Sequence, residues 1–111
     1  MIHQKFEACI EACYACAMAC NHCVASCLQE QDVNKMAQCI AFDIDCAEIC
    51  ALAAAAMSRG SQHAKAICHL CAVICQSCSD ECTKHQMDHC QKCAKACRDC
   101  TDALHMVAAM A

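Results

Sequence analysis

Eighteen of the 111 residues are cysteine, and their spacing is regular. Cys9, Cys13, Cys16, Cys20, Cys23 and Cys27 step by 4, 3, 4, 3 and 4. Cys39, Cys46 and Cys50 step by 7 and 4. Cys68, Cys71, Cys75, Cys78 and Cys82 step by 3, 4, 3 and 4, and Cys90, Cys93, Cys97 and Cys100 by 3, 4 and 3. At about 16%, cysteine far exceeds the roughly 8–10% that already marks a special scaffold. Cysteine can serve as a small core hydrophobe. A core made wholly of it is a poor choice, since each buries less area than Leu and oxidises more readily. Metal binding is the chemistry that needs so many thiols, and soft thiolates select Cu(I), zinc or iron–sulfur clusters.

Charge separates these metals. A monovalent ion that replaces one thiol proton leaves the core's charge unchanged, and burying uncompensated charge is very costly. Zinc in four-thiolate sites leaves each at −2, and a stack of such sites repels itself. The short zinc-type pairs separated by a long spacer are also missing. Iron–sulfur clusters need loops that wrap them, and this chain has one Gly and no Pro. Cu(I), satisfied by two or three thiolates, suits an uninterrupted ladder. Each C-x3-C pair can close on one ion along one helix: Cys9/Cys13, Cys16/Cys20, Cys23/Cys27, Cys46/Cys50, Cys71/Cys75, Cys78/Cys82 and Cys93/Cys97. Cys39, Cys68, Cys90 and Cys100 are left to join ions across helices.

Disulfides are the other use of dense cysteine, in small secreted scaffolds. Residues one helical turn apart have Cβ atoms about 5–6 Å apart, whereas a disulfide needs about 3.5–4.5 Å. Neighbours on one helix therefore cannot pair. The amino-terminal sequence MIHQKFEACIEAC shows no apolar run behind a basic end, so no signal peptide is visible. The expectation is reduced or metal-bound thiols in the cytoplasm. The alanine-rich piece from Ala51 to Met57 is too short for a membrane span, and no membrane association is expected.

Every cysteine falls on a single a/d seam, which requires helices; the period-two alternation of a strand is absent. Breaks divide the seam into four. Asp32 is suited to cap a second helix. Gly60 suits the left-handed residue after a helix end, and Ser61 the next N-cap. His85 to Asp88 forms a third turn. The predicted helices lie near 2–29, 33–57, 62–84 and 88–109. Four helices of similar length on short loops make an all-α, antiparallel up-down-up-down four-helix bundle with a Cys-lined core, one domain over 1–111.

The two ends of this seam differ chemically. At one it continues as Ile2, Phe6, Ala53, Met57, Ala64, Leu104 and Val107, an apolar plug. At the other it reaches Met36, His85, Met87 and His89. These four are read as a metal mouth, because thioether and imidazole hold Cu(I) more weakly than thiolate and can pass ions inward. Asp43 sits on the seam between Cys39 and Cys46 and is read as a buried acceptor for thiol hydrogens. His22, His63 and His69 map outside the seam and are expected in solvent; His3 and His105 lie near the plug. Met18 and Met106 are read as packing residues. Ile44, Leu52, Leu70 and Val73 point outward on the second and third helices and form an apolar patch. Such a patch is usually an interface, so a homo-oligomer is expected.

The stretches EACIEACYACAMACNHC, CIAFDIDCAEICALAAAAM, ICHLCAVICQSCSDECTKH and DHCQKCAKACRDC cover almost the whole chain. In combination they resemble the bacterial copper storage proteins, specifically the cytosolic branch without an export signal. The resemblance implies a four-helix bundle, a homotetramer and many Cu(I) ions on the cysteines inside each bundle. One departure is that the last ladder ends at Cys100 and continues as Leu104, where relatives can carry another cysteine. A copper chaperone or chelator is the expected donor or acceptor.

Net charge is −4 with both signs interspersed, and no basic stripe exists for nucleic acid. No Cys/His or Ser/His/Asp nucleophile arrangement stands out, and a single Gly excludes a phosphate-binding loop, so no enzyme is expected. The reading is storage or buffering of Cu(I). The alternative from another class is a redox or electron-transfer protein with a Cys-bound metal cluster, which needs one or a few ions rather than many.

Overall fold

The structure is a computed structural model that describes residues 6–109. Four helices account for nearly all of it: α1 (Glu7–Cys27), α2 (Ala37–Arg59), α3 (Ala64–Thr83) and α4 (Asp88–Ala109). They form the antiparallel four-helix bundle, an elongated body of 48 × 19 × 18 Å. Packing runs around a square: α1 against α2 and α4, and α3 against α2 and α4. The interior is narrow because its lining is small. Cysteine fills most of it, with Ala53, Ala54, Ala56 and Ala94 between. The predicted start of the first helix, together with Ile2 and His3, lies outside the described residues.

The helix ends follow from local chemistry, in two places differently from expectation. Gly60 takes φ 65° and ψ 38°, the left-handed conformation that glycine adopts without a Cβ clash. The Ser61 N–H donates to Ala56 O at 2.9 Å and the Gly60 N–H to Met57 O at 3.2 Å, closing α2 with a Schellman motif. Ser61 does not sit at the N-cap; His63 does. Ser61 Oγ instead accepts the His63 N–H at 3.1 Å, while its carbonyl accepts from Ala64 at 3.0 Å. Asp32 is not a side-chain cap either. A 3-10 turn, Val33–Met36, precedes α2, and Asp32 makes no capping hydrogen bond. Its carboxylate is drawn to Lys35 Nζ at 3.7 Å. The turn carries Met36 to the axis, where it is fully buried.

The plug forms as the seam requires. Ala53, Ala64, Met57 and Leu104 are buried, and Phe6 and Val107 pack half-buried against them. The bundle also has polar ties between helices. Ser79 Oγ donates to Ala94 O at 3.2 Å, joining α3 to α4. Gln91 Nε2 donates to Thr83 O at 3.2 Å and His85 O at 2.6 Å, bracing the α3–α4 turn. Among the described residues no buried side-chain nitrogen or oxygen lacks a partner.

The outer surface carries Ile44, Leu52, Leu70 and Val73, each 42–55% exposed. Met18 and Met106 were expected to pack; both stand on the surface, about seven-tenths exposed, because their positions fall outside the seam. α1 is long and apolar enough by composition alone to cross a bilayer. Much of that hydropathy belongs to six cysteines that are buried against the neighbouring helices.

Candidate metal centre

All eighteen cysteines are buried free thiols. Their inward direction follows from the a/d seam, but their mutual positions depend on how the four helices interlock. Sulfurs of different helices approach as closely as those on one helix. Cys23 and Cys27, Cys46 and Cys50, Cys71 and Cys75, and Cys78 and Cys82 lie 3.7–3.9 Å apart along single helices. Across helices, Cys39 Sγ is 3.5 Å from Cys82 Sγ, Cys93 Sγ is 3.6 Å from Cys20 Sγ, and Cys100 Sγ is 3.6 Å from Cys13 Sγ. Pairing along one helix therefore understates the site, which is knitted across the bundle.

Three-sulfur rings result. Cys46, Cys50 and Cys75 form a triangle with sides of 3.9, 3.5 and 3.5 Å. Cys50, Cys71 and Cys75 form another with sides of 3.7, 3.8 and 3.5 Å. Cys16, Cys46 and Cys97 form a third, at 3.7, 3.9 and 3.6 Å. A fourth, Cys23, Cys27 and Cys90, measures 3.7, 3.9 and 4.0 Å. The centre of such a triangle lies about 2.0–2.3 Å from each sulfur, close to the roughly 2.3 Å of a metal–thiolate bond. The first three rings share corners, two of them along the Cys50–Cys75 edge, while the ring of Cys23, Cys27 and Cys90 shares no sulfur with them. Larger groups overlap in the same way: Cys16, Cys20, Cys46 and Cys97 lie within 4.8 Å of one another, as do Cys20, Cys78, Cys93 and Cys97. The donor set is wholly soft, and three sulfurs per centre match the coordination of Cu(I).

Two effects act on the metal-free thiols: hydrogen bonds from neighbouring thiols pull some down, Cys39 to about 3 and Cys71 to about 5, while burial opposes ionisation. Burial pushes the thiols of Cys27 and Cys68 up to about 11, because a thiolate loses its hydration there. Burial likewise pushes the carboxyl of Asp43 up to about 10. Asp43 Oδ1 accepts from Cys78 at 3.1 Å, Cys93 at 3.3 Å and Cys82 at 3.4 Å, and Oδ2 from Cys39 at 3.7 Å. The reading of Asp43 as an acceptor for thiol hydrogens thus matches its surroundings.

The four non-cysteine residues expected to form a mouth are placed differently from one another. His89 meets the thiols: its Nδ1 is 3.5 Å from Cys90, 3.6 Å from Cys23 and 3.9 Å from Cys27. His85 turns its Nε2 to Glu81 Oε2 at 2.9 Å instead. Met36 is buried in the core and Met87 packs half-buried against it. His22, His63 and His69 are exposed, as expected. His105 is also exposed and lines a shallow groove beside Cys68, with His69 and Leu104. Glu30 and Glu81, the carboxylate partners of His89 and His85, were not expected beside these histidines. Glu81 stands four residues before His85, a spacing that puts them on one helix face. Glu30 reaches His89 Nε2 at 3.0 Å across 59 residues of sequence, and no local pattern announces it.

Residues 2–109 match the family model for copper storage protein. An uncharacterized cysteine-rich protein of Bacillus subtilis, YhjQ, is 51% identical over 79% of this chain and 82% of its own length. The structure of the Cu(I)-bound copper storage protein BsCsp3 superposes with a TM-score of 0.89 at 52% identity, covering 92% of this chain and 96% of that one. A cytosolic copper storage protein from Streptomyces lividans, solved with five coppers, gives 0.92 at 38% identity over 96% of this chain and 94% of that one. A match over nearly the whole length, on a bundle whose axis is thiol from Cys9 to Cys90, means that the chain belongs to the copper storage protein family.

Proposed function

We propose that the protein stores or buffers many Cu(I) ions on the eighteen cysteines of its core and performs no catalysis. The sulfur triangles, together with the larger thiol groups that join them, carry this reading. An electron carrier needs one or a few centres held apart from others, whereas these rings continue from the mouth toward the plug. Each Cu(I) that binds a thiol releases its proton, so loading fills the core without accumulating charge. The protein acts in the cytosol, as the Streptomyces relative does, and exchanges ions with a chaperone or a small chelator.

Ions pass the end that holds Met36, His85, Met87 and His89. The sides are closed by packed helices, and at the opposite end the axis is filled by Phe6, Met57, Leu104 and Val107, of which only Met57 carries a soft donor. The chain assembles as a homotetramer through the face that carries Ile44, Leu52, Leu70 and Val73. That face is apolar on two adjacent helices and leaves the seam free.

The test is a titration of the reduced, metal-free protein with Cu(I) against a competing chelator. Storage requires on the order of one ion per one or two thiols, given two- or three-coordinate Cu(I). Saturation at one or two ions per chain would sink the storage reading and favour a redox carrier.

A further inference from the structure

At the mouth, the outermost triangle of Cys23, Cys27 and Cys90 is covered by one imidazole. His89 Nδ1 faces all three sulfurs, at 3.5–3.9 Å, and the side chain is 14% exposed. Its other nitrogen, Nε2, lies 3.0 Å from Glu30 Oε2. A carboxylate accepts hydrogen bonds and donates none, so the proton of a neutral His89 sits on Nε2 and points to Glu30. Nδ1 is then bare, and its lone pair is aimed at the centre of the thiol group. Were the proton on Nδ1, the same ring would present a hydrogen to an arriving cation.

Glu30 is brought there by the end of α1. The Gln29 N–H donates to Ser26 O at 3.1 Å and the Glu30 N–H to Cys27 O at 3.2 Å. This tight turn fixes Glu30 three residues beyond Cys27, one of the thiols that His89 covers. One short segment thus holds both a ligand sulfur and the carboxylate that orients the nitrogen above it. Ligating histidines commonly give their second N–H to a carboxylate, which sets tautomer and ring direction. His85 has a similar partner in Glu81 on its own helix, but no thiol is within hydrogen-bonding distance of it among the described contacts.

We propose that Glu30 is a positioning residue: it fixes His89 with Nδ1 as a nitrogen donor above Cys23, Cys27 and Cys90, so that the mouth presents a preformed site of one nitrogen and three sulfurs to incoming Cu(I). The proposal rests on the storage reading and extends it to the first step of loading. Imidazole holds Cu(I) more weakly than thiolate, so an ion received there moves on to the all-thiolate rings.

The test uses Glu30→Ala and the conservative Glu30→Gln, whose amide oxygen still accepts from Nε2. Side-chain nitrogen NMR of the metal-free protein reads the His89 tautomer without any copper. The expected result is the Nε2–H form in wild type and Glu30→Gln, and a mixture in Glu30→Ala. Cu(I) uptake from a chelator complex is then followed by stopped flow. Glu30→Ala is expected to slow it by about 10-fold, the lower range for loss of such an outer partner, with Glu30→Gln restoring most of the rate. On a His89→Ala background, Glu30→Ala should add nothing. An unchanged tautomer in Glu30→Ala, or a further slowing on the His89→Ala background, overturns the proposal and makes Glu30 a rim charge. A wild type that takes up no more than one or two ions overturns storage itself, whatever the tautomer.

Discussion

Asp43 Oδ1 lies 3.1 Å from Cys78 Sγ, which places a buried carboxyl inside a ladder otherwise built of sulfur. The same carboxyl reaches Cys39 near the mouth and Cys93 further in, so it bridges two levels of the core. Its ordinary ionisation at 3.8 is pushed up to about 10, first by burial. The folded chain therefore holds this proton more tightly than the unfolded chain. The associated stability is complete below the unfolded value and declines as pH rises toward the folded one. Urea denaturation of metal-free, reduced protein should give a lower midpoint at pH 7 than at pH 5, both more than a unit below the ordinary thiol value of about 8.5. In Asp43→Asn the drop should be much smaller. Parallel drops in the two proteins would show that Asp43 is ionised in the folded state.

The metal-free chain should be folded. Its helices are closed by the Schellman turn at Gly60 and tied by Ser79 and Gln91, none of which needs an ion. Far-UV circular dichroism of the reduced apo-protein should show a helical spectrum close to that of the copper-loaded form. A coil spectrum that becomes helical only on adding Cu(I) would mean that the metal builds the core.

The plug should carry a disproportionate share of that stability. Leu104 is a large side chain at an end of a core made mostly of cysteine and alanine, and it is 2% exposed. Leu104→Ala should cost about 2–5 kcal/mol, the usual range for such a cavity, in chemical denaturation of the apo-protein. A loss under about 1 kcal/mol would mean that this end collapses freely around the gap.

How much of this was readable beforehand depended on whether a residue's role was set by its own helix. The inward thiols, the left-handed Gly60 and the plug at Met57 and Leu104 follow from period and turn chemistry, and the seam predicted them. α4 begins and ends where its pattern does. The 3-10 turn before α2 was hidden, because Asp32 can serve either as a cap or as a partner for Lys35, and spacing does not choose. The sulfur triangles were hidden too: a seam fixes which way Cys46, Cys75 and Cys97 point, but not the axial stagger of three helices. Glu30 was invisible for the same reason, since its partner His89 comes from another helix.

The outward face offers an independent check on assembly. Ile44 and Val73 are 42% and 55% exposed and lie on adjacent helices. Ile44→Glu together with Val73→Glu should shift the mass in light scattering to that of a smaller species. Copper capacity should stay nearly intact, because neither side chain touches the seam. An unchanged mass would remove this face as the interface.

The direction of copper traffic can be tested by comparing the two histidines of the mouth. His89 covers thiols, while His85 is held by Glu81. Phenylalanine at either position narrows the opening, but only at position 89 does it also remove a nitrogen from the outermost sulfur ring. His89→Phe should therefore slow both Cu(I) uptake and chelator-driven removal more than His85→Phe does. Final stoichiometry should change by at most an ion or two in either, since the inner rings from Cys93 to Cys71 are untouched. As a control at the opposite end, Phe6→Ala opens the plug without altering a ligand. Unchanged rates in both histidine variants, with faster uptake in Phe6→Ala, would reverse the bundle and make the apolar end the port.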